Sequence, residues 1–81
     1  MRDKAAERAV SRLIDEFIKL RKEQSLSHET IAQKTGLNRS AISLIESKKR
    51  TPTILTCLKI AKALDVSLAS LIRKIETEAG I

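Results

Sequence analysis

The sequence predicts an all-α fold of five helices in a single domain that spans residues 1–81. Three observations lead to this prediction. Apolar residues recur at spacings of three and four along most of the chain, which is the period of an amphipathic helix. A residue with a short polar side chain precedes each of these segments, where it can accept a hydrogen bond from the backbone of the first turn. One glycine separates two short helical segments at the centre of the chain.

The first helix is predicted over residues 3 to about 23, with Asp3 as its N-cap. Its core-facing residues follow at spacings of four and three: Leu13, Phe17 and Leu20. Ile14 and Ile18 widen this apolar face beyond what a small bundle needs. They belong either to a broad core face or, because this helix is long, to a contact between two copies of the chain.

Two short helices joined by a tight turn are predicted over residues 28–47. Ser27 caps the first of them, and Gly36 supplies the left-handed conformation that ends it. Asn38 caps the second, whose inward positions are apolar: Ala41, Ile42 and Ile45. The remaining positions of that helix point elsewhere and are mostly polar: Arg39, Ser40, Ser43, Leu44 and Ser47. This pattern is typical of a helix-turn-helix, whose second helix enters the major groove of DNA.

Two more helices are predicted, one over about 54–64 after Thr53 and one after Ser67. The fourth helix is expected to bury five residues at helical spacing: Ile54, Cys57, Leu58, Ala61 and Leu64. The fifth carries a stripe at i, i+3, i+4 and i+7: Leu68, Leu71, Ile72 and Ile75. An apolar stripe near the end of a small domain favours a self-complementary dimer interface. Residues 76–81 are expected to fray.

Charge and composition narrow the possible functions. The net charge is +6, and residues 28–52 hold half of the excess, with five basic and two acidic side chains. Basic charge attracts phosphate. The single cysteine cannot form an internal disulfide, and no spaced Cys/His set predicts a metal site. Without a signal peptide or an apolar segment of about 20 residues, we expect a cytoplasmic location, on the nucleoid when bound, and no membrane contact.

Catalysis is not expected. The sequence has no paired carboxylates, nucleophile–base set or phosphate-binding loop, so we expect no enzyme activity, no cofactor and no small-molecule ligand. His28 is a lone histidine without catalytic partners, so neither catalysis nor a pH switch is expected of it. Cys57 is expected to be a small buried apolar residue. RNA binding lacks an aromatic stacking surface because Phe17 is the one aromatic residue and is expected in the core.

Five segments agree in order and spacing with a known pattern: LRKEQSLS (20–27), IAQKTGL (31–37), AISLIE (41–46), TPT (51–53) and LKIAKALDVSLASLI (58–72). Through them, about residues 13–72 resemble the Cro/cI-like, or XRE-type, regulators. The resemblance implies a lambda-repressor-like fold, a homodimer on a palindromic double-stranded DNA operator, and regulation of transcription, with the transcription machinery as a further partner. In size the chain is similar to the controller proteins of restriction–modification systems and to small phage repressors, for which autoregulation is expected.

The resemblance and the helix-turn-helix pattern together indicate which residues contact DNA. Arg39, in the first turn of the second motif helix, can span the two acceptors of guanine in the major groove. Ser40 and Ser43 are further base-reading candidates, while Leu44 either contacts a thymine methyl group or is partly buried. Phosphate contacts are expected from seven residues: Ser27, His28, Gln33, Asn38, Lys48, Lys49 and Arg50.

Two positions depart from the family pattern. The family usually has Gln where His28 stands and Gly where Lys48 stands. Lysine can adopt the left-handed conformation of that glycine only at some cost, so the resemblance does not determine the geometry of this loop. Arg21 and Glu46 match a family pair that resembles a salt bridge between the first and third helices.

A different class of function remains open. The chain could act as an antitoxin-like module whose main partner is a protein bound by the first or fifth helix, with DNA binding secondary. A neighbouring toxin gene would favour this alternative, whereas neighbouring methyltransferase and endonuclease genes would favour a controller.

Overall fold

The computed structural model describes residues 3–80, which form five α-helices. They are α1 (Lys4–Glu23), α2 (His28–Thr35), α3 (Arg39–Glu46), α4 (Ile54–Ala63) and α5 (Leu68–Ala79). Helix α1 packs against α5 and α3, α2 packs against α3 and α4, and α4 packs against α5. The predicted all-α fold is confirmed.

Every helix begins at a residue that the sequence indicates as an N-cap. The five caps are extended, and the side-chain oxygen of each accepts a hydrogen bond from the backbone N–H three residues later: Asp3, Ser27, Asn38, Thr53 and Ser67. These bonds satisfy donors that have no partner inside the helix. Local side-chain chemistry therefore sets where each helix starts.

Three helices end in a left-handed residue that is not glycine: Ser25 (φ 56°), Lys48 (φ 63°) and Asp65 (φ 58°). After each of them, a backbone N–H reaches the carbonyl five residues earlier at 3.0 Å, as Lys49 does to Leu44. This is the pattern of a Schellman cap, whose left-handed position is most often occupied by glycine. Lys48 thus adopts the left-handed conformation that a glycine would take at this position.

The core is almost wholly aliphatic and receives side chains from all five helices. Its largest members are Leu13, Ile14, Phe17, Ile31, Ile42, Ile45, Ile60, Leu64, Leu68 and Ile75. Ile14 is buried and Ile18 is half-buried against the same cluster, so the broad apolar face of α1 serves the core. Leu20 also packs on the cluster from a half-buried position.

The predicted buried face of α4 is wrong in part. Cys57, Ala61 and Leu64 are buried as expected, but Ile54 and Leu58 are 65% and 53% exposed. Ile60, which was not expected inside, occupies the core. The reason is that α4 carries apolar residues on most of its circumference, so their spacing does not define one face. Together with Leu55, which is 59% exposed, Ile54 and Leu58 form an outward apolar surface, here called the α4 patch.

The apolar stripe of α5 faces mainly into this protomer's own core. Leu68 and Ile75 are only 6% and 2% exposed, whereas Leu71 and Ile72 are half-buried. Burial within the protomer withholds the first two side chains from any partner. The prediction that the chain frays from residue 76 is wrong for residues 76–80, because α5 continues to Ala79 and is capped by Gly80. Ile81 lies outside the described residues.

Candidate nucleic-acid interface

The turn between α2 and α3 is fixed by hydrogen bonds and by one glycine. Gly36 takes a φ of 76°, and its N–H bonds to the Ala32 carbonyl at 2.9 Å. The buried Thr35 hydroxyl donates to the Ile31 carbonyl at 2.8 Å and accepts from the Leu37 N–H at 3.2 Å. The two helices are thereby held as one helix-turn-helix unit, as the sequence predicts.

Helix α3 has one buried and one exposed face. Ala41, Ile42 and Ile45 are buried and attach the helix to the core. Arg39, Ser40 and Ser43 are exposed on the outer face. Leu44 is half-buried, and its carbonyl accepts the N–H groups of Lys49 and Arg50. The predicted base-reading residues therefore lie on one helix, where three are exposed and Leu44 is partly buried.

Two of the predicted phosphate-contacting residues also cap helices. The Ser27 hydroxyl oxygen accepts from Thr30, and Asn38 Oδ1 accepts from the Ala41 N–H at 2.7 Å. The amide nitrogen of Asn38 keeps its donors for another acceptor. Gln33 is exposed on α2, and Lys49 and Arg50 are exposed directly after α3.

Lys48 has a partner that the sequence did not indicate. Its ammonium nitrogen lies 2.7 Å from Oδ1 of Asp15 on α1. Both side chains are partly exposed, so phosphate oxygens could still compete for the lysine. Asp15 stands 33 positions earlier in the chain, and no local spacing rule connects residues so far apart.

Glu46 joins three helices at the base of the motif. Arg21 of α1 binds it through two nitrogens, at 2.7 Å to Oε2 and 2.9 Å to Oε1, which confirms the expected salt bridge. The Nε2 atom of His28, at the start of α2, lies 2.9 Å from Oε1. Partial burial acts to raise the pKa of Glu46, but the hydrogen bonds from Arg21 and His28 outweigh it and the pKa is lowered. Glu46 is therefore held as a carboxylate.

Positive charge on the outer side of α3 is not neutralised locally. Within residues 3–80, no carboxylate lies within salt-bridge distance of Arg39, Lys49 or Arg50. Such charges can replace the condensed counterions of a nucleic acid. The exposed face of α3 and the basic loop after it therefore form one surface suited to DNA.

Other kinds of site find little support in residues 3–80. They contain no group of three or more His, Cys, Asp or Glu side chains that could hold a metal ion. None of their helices combines the length and apolar character needed to span a bilayer. Burial raises the pKa of the Cys57 thiol, which favours the unreactive protonated form.

Comparison with known proteins agrees with this geometry. A family model described as helix-turn-helix matches residues 17–71. The chain is 34% identical over 56 residues to an uncharacterized HTH-type transcriptional regulator, y4dJ, of Sinorhizobium fredii (strain NBRC 101917 / NGR234), which covers 69% of this chain and 73% of that protein. It is 38% identical over 50 residues to control protein C.SmaI of Serratia marcescens, which covers 62% of this chain and 60% of that protein. No solved structure gives a significant match.

The matched segment spans more than half of the chain and contains both motif helices and the turn between them. Its outer surface has the exposed polar helix and the unpaired cations that DNA binding requires. The chain therefore belongs to the XRE-type helix-turn-helix family of DNA-binding transcriptional regulators.

Proposed function

We propose that this regulator binds as a homodimer to a palindromic operator and controls transcription that includes its own gene. The observation that carries the proposal is the outer face of α3, where Arg39, Ser40 and Ser43 are exposed beside cations without local partners. A helix presented in this way fits the major groove, where side chains of its first turns reach the base edges.

We assign recognition of the DNA bases first to Arg39. Its guanidinium can donate two parallel hydrogen bonds to guanine, a contact worth about 1–3 kcal/mol of discrimination. Ser40 and Ser43 follow on the same exposed face and can bond to either base edges or phosphate. Leu44 is half-buried, so at most its outer atoms would contact a thymine methyl group.

Phosphate contacts are assigned to residues that precede and follow α3 in the chain. Ser27 and His28 at the α2 N-terminus and the exposed Gln33 precede it, and the basic segment 48–50 follows it. Asn38, at the start of α3, completes the set. Such anchors would fix how the helix sits in the groove without reading sequence.

The α4 patch is proposed as the centre of the dimer interface. Ile54, Leu55 and Leu58 lie at i, i+1 and i+4 and are each more than half exposed. Burial of such side chains against a symmetry-related copy would be favourable at about 25 cal/mol per Å². The half-buried Leu71 and Ile72 would contribute their remaining exposed atoms, while Leu68 and Ile75 would support the interface from the core.

The likeness to control protein C.SmaI favours a controller role over that of an antitoxin-like module. A controller of this kind would act through its own concentration, because only the dimer would engage both half-sites. Autoregulation follows naturally if the operator lies upstream of the protein's own gene.

Binding to the DNA upstream of this gene tests the proposal. Wild-type protein is expected to prefer this DNA over unrelated competitor, and Arg39→Ala is expected to reduce that preference by about 1–3 kcal/mol. Lys49→Ala is the matched control: it should weaken binding to both DNAs equally and lower the salt dependence by about one counterion per protomer.

Two outcomes would count against the proposal. Salt-labile binding that ignores both the sequence and the Arg39 change would leave only a basic surface. Failure to bind this DNA, together with tight binding to a toxin encoded nearby, would favour the antitoxin-like module.

A further inference from the structure

The His28 ring is held by an acceptor. Its Nε2 atom lies 2.9 Å from Oε1 of Glu46, and Arg21 holds that carboxylate from the other side. An ionised carboxylate can only accept hydrogen bonds, so a bond between these atoms requires the proton on Nε2. The lowered pKa of Glu46 keeps it ionised at neutral pH. This contact therefore selects the histidine tautomer.

The proton on Nε2 determines the state of the other ring nitrogen, Nδ1. A neutral imidazole has one N–H, so with the proton on Nε2 the Nδ1 atom is a bare acceptor. A phosphate oxygen is also an acceptor, and the two would repel each other. The imidazolium, in contrast, donates from both nitrogens at once. His28 is the first residue of α2, and its side chain is 30% exposed, so it can still reach an anion at this helix end.

We propose that operator binding is coupled to uptake of a proton at His28, so that affinity rises as the pH falls. The proposal rests on the proposed function, in which the start of α2 contacts a phosphate. In the complex the ring would stand between two anions, Glu46 and the phosphate, and only its charged form satisfies both. Because binding and protonation are linked, each must favour the other.

Other charged groups near the ring do not provide the same coupling. Arg21 from α1 opposes protonation, but its charge is matched by Glu46 from α3. Glu29, the next residue on α2, is exposed and acidic. His28 is the one histidine in the sequence, and histidine is the side chain that most readily exchanges its proton between about pH 5 and 8. A change in pH dependence on substitution of His28 can therefore be assigned to this residue.

The test compares wild type with His28→Gln at about pH 6 and about pH 8, at constant salt, on the DNA upstream of this gene. The glutamine amide carries two N–H groups and can donate without gaining a proton. Wild-type affinity is expected to increase by up to about tenfold per pH unit for each proton taken up, whereas the variant should show no such change. Thermal melting of both proteins would check that the variant is folded.

The histidine ring signal in NMR gives a second measurement that does not depend on affinity. Its titration midpoint should move to higher pH in the DNA complex than in the free protein. Equal pH dependence in wild type and His28→Gln, or an unchanged midpoint, would overturn the inference while leaving operator binding intact. Absence of specific binding at both pH values would instead overturn the proposed function, and the inference with it.

Discussion

The ammonium nitrogen of Lys48 lies 2.7 Å from Oδ1 of Asp15, which joins the residue just beyond α3 to the middle of α1. Lys48 makes this contact from a left-handed φ of 63°. That conformation costs about 1–2 kcal/mol for a residue other than glycine, while a partly exposed ion pair returns about 0–1 kcal/mol. Stability alone therefore does not explain a lysine at this position. Its positive charge beside the proposed DNA surface does explain it, because that charge can attract phosphate.

Lys48→Gly should separate these two effects. Removal of the strain is expected to offset the loss of the salt bridge, so that the free energy of unfolding stays the same or rises by about 1 kcal/mol. Affinity for DNA should fall, and its salt dependence should decrease by about one counterion per protomer. Urea unfolding and a salt series of binding measurements would check both results.

Ser25→Gly is the matched control for Lys48→Gly. Ser25 has a similar left-handed conformation, with a φ of 56°, but carries no charge. We expect it to gain about 1 kcal/mol of stability while DNA affinity stays unchanged. Weaker DNA binding in Ser25→Gly would mean that cap geometry, rather than charge, explains the Lys48 result.

Arg21→Lys should destabilise the fold although it keeps the charge. Arg21 donates two hydrogen bonds to Glu46 and a third, at 2.9 Å, to the Leu26 carbonyl, and lysine cannot reproduce this planar set. We expect a loss of about 2 kcal/mol in urea unfolding. Arg12→Lys is the control, because both side chains of the Arg12–Glu78 pair are 45% exposed and the change should leave stability nearly unaltered. Equal losses of stability in Arg21→Lys and Arg12→Lys would contradict the structural role assigned to the Arg21 hydrogen bonds.

Glu16 should make stability depend on pH. Its buried carboxylate accepts a hydrogen bond from Lys74, and this bond lowers the pKa of Glu16 below its ordinary value. A carboxyl group with a lowered pKa in the folded state stabilises the protein above its unfolded pKa of about 4.3, and this contribution is lost as the pH falls through the folded value. Glu16→Gln should therefore cost about 1–2 kcal/mol at pH 7 and less near about pH 3.

Unfolding in urea at both pH values would measure the Glu16 effect. Glu76→Gln, an exposed change on the same helix as Lys74, should leave both values nearly unchanged. A constant difference between wild type and Glu16→Gln at all pH values would show that packing, rather than charge, is responsible.

Leu58→Glu should prevent self-association without unfolding the protomer. The side chain is 53% exposed, so the protomer loses little by the change, whereas a symmetric interface would bring two buried carboxylates together. We expect the dimer to weaken by about 2 kcal/mol or more, roughly 30-fold, in sedimentation experiments. Val10→Glu on α1 is the control. If Val10→Glu dissociates the dimer and Leu58→Glu does not, the interface lies on the first helix instead.

Helix starts and the helix-turn-helix could be predicted because they depend on near neighbours. Asn38 and the Ala41 N–H that it caps are three residues apart, and Gly36 is the residue type that most readily adopts the required φ. The same holds for the face of α3, where Ala41 and Ile45 are separated by one turn. Such local rules gave both the exposed and the buried sides of the candidate site.

The buried face of α4 and the long-range ion pairs could not be predicted. Helix α4 has leucine or isoleucine at four of its ten positions, so several rotations about its axis would bury a similar apolar area. Only packing against α2 and α5 selects the rotation that places Ile60 inside and Leu58 outside. The partners of Lys48 and His28 likewise depend on how distant helices meet.

The carboxylate of Glu46 has a mechanical consequence for the whole motif. Glu46 stands at the end of α3 and binds Arg21 of α1 and His28 of α2. The three helices therefore cannot shift separately without breaking a charged hydrogen bond. We therefore expect the distance between phosphate anchors and reading side chains to be constant, so that the DNA must adapt its curvature and groove width to the protein. Base pairs that no side chain touches would then influence affinity through their flexibility.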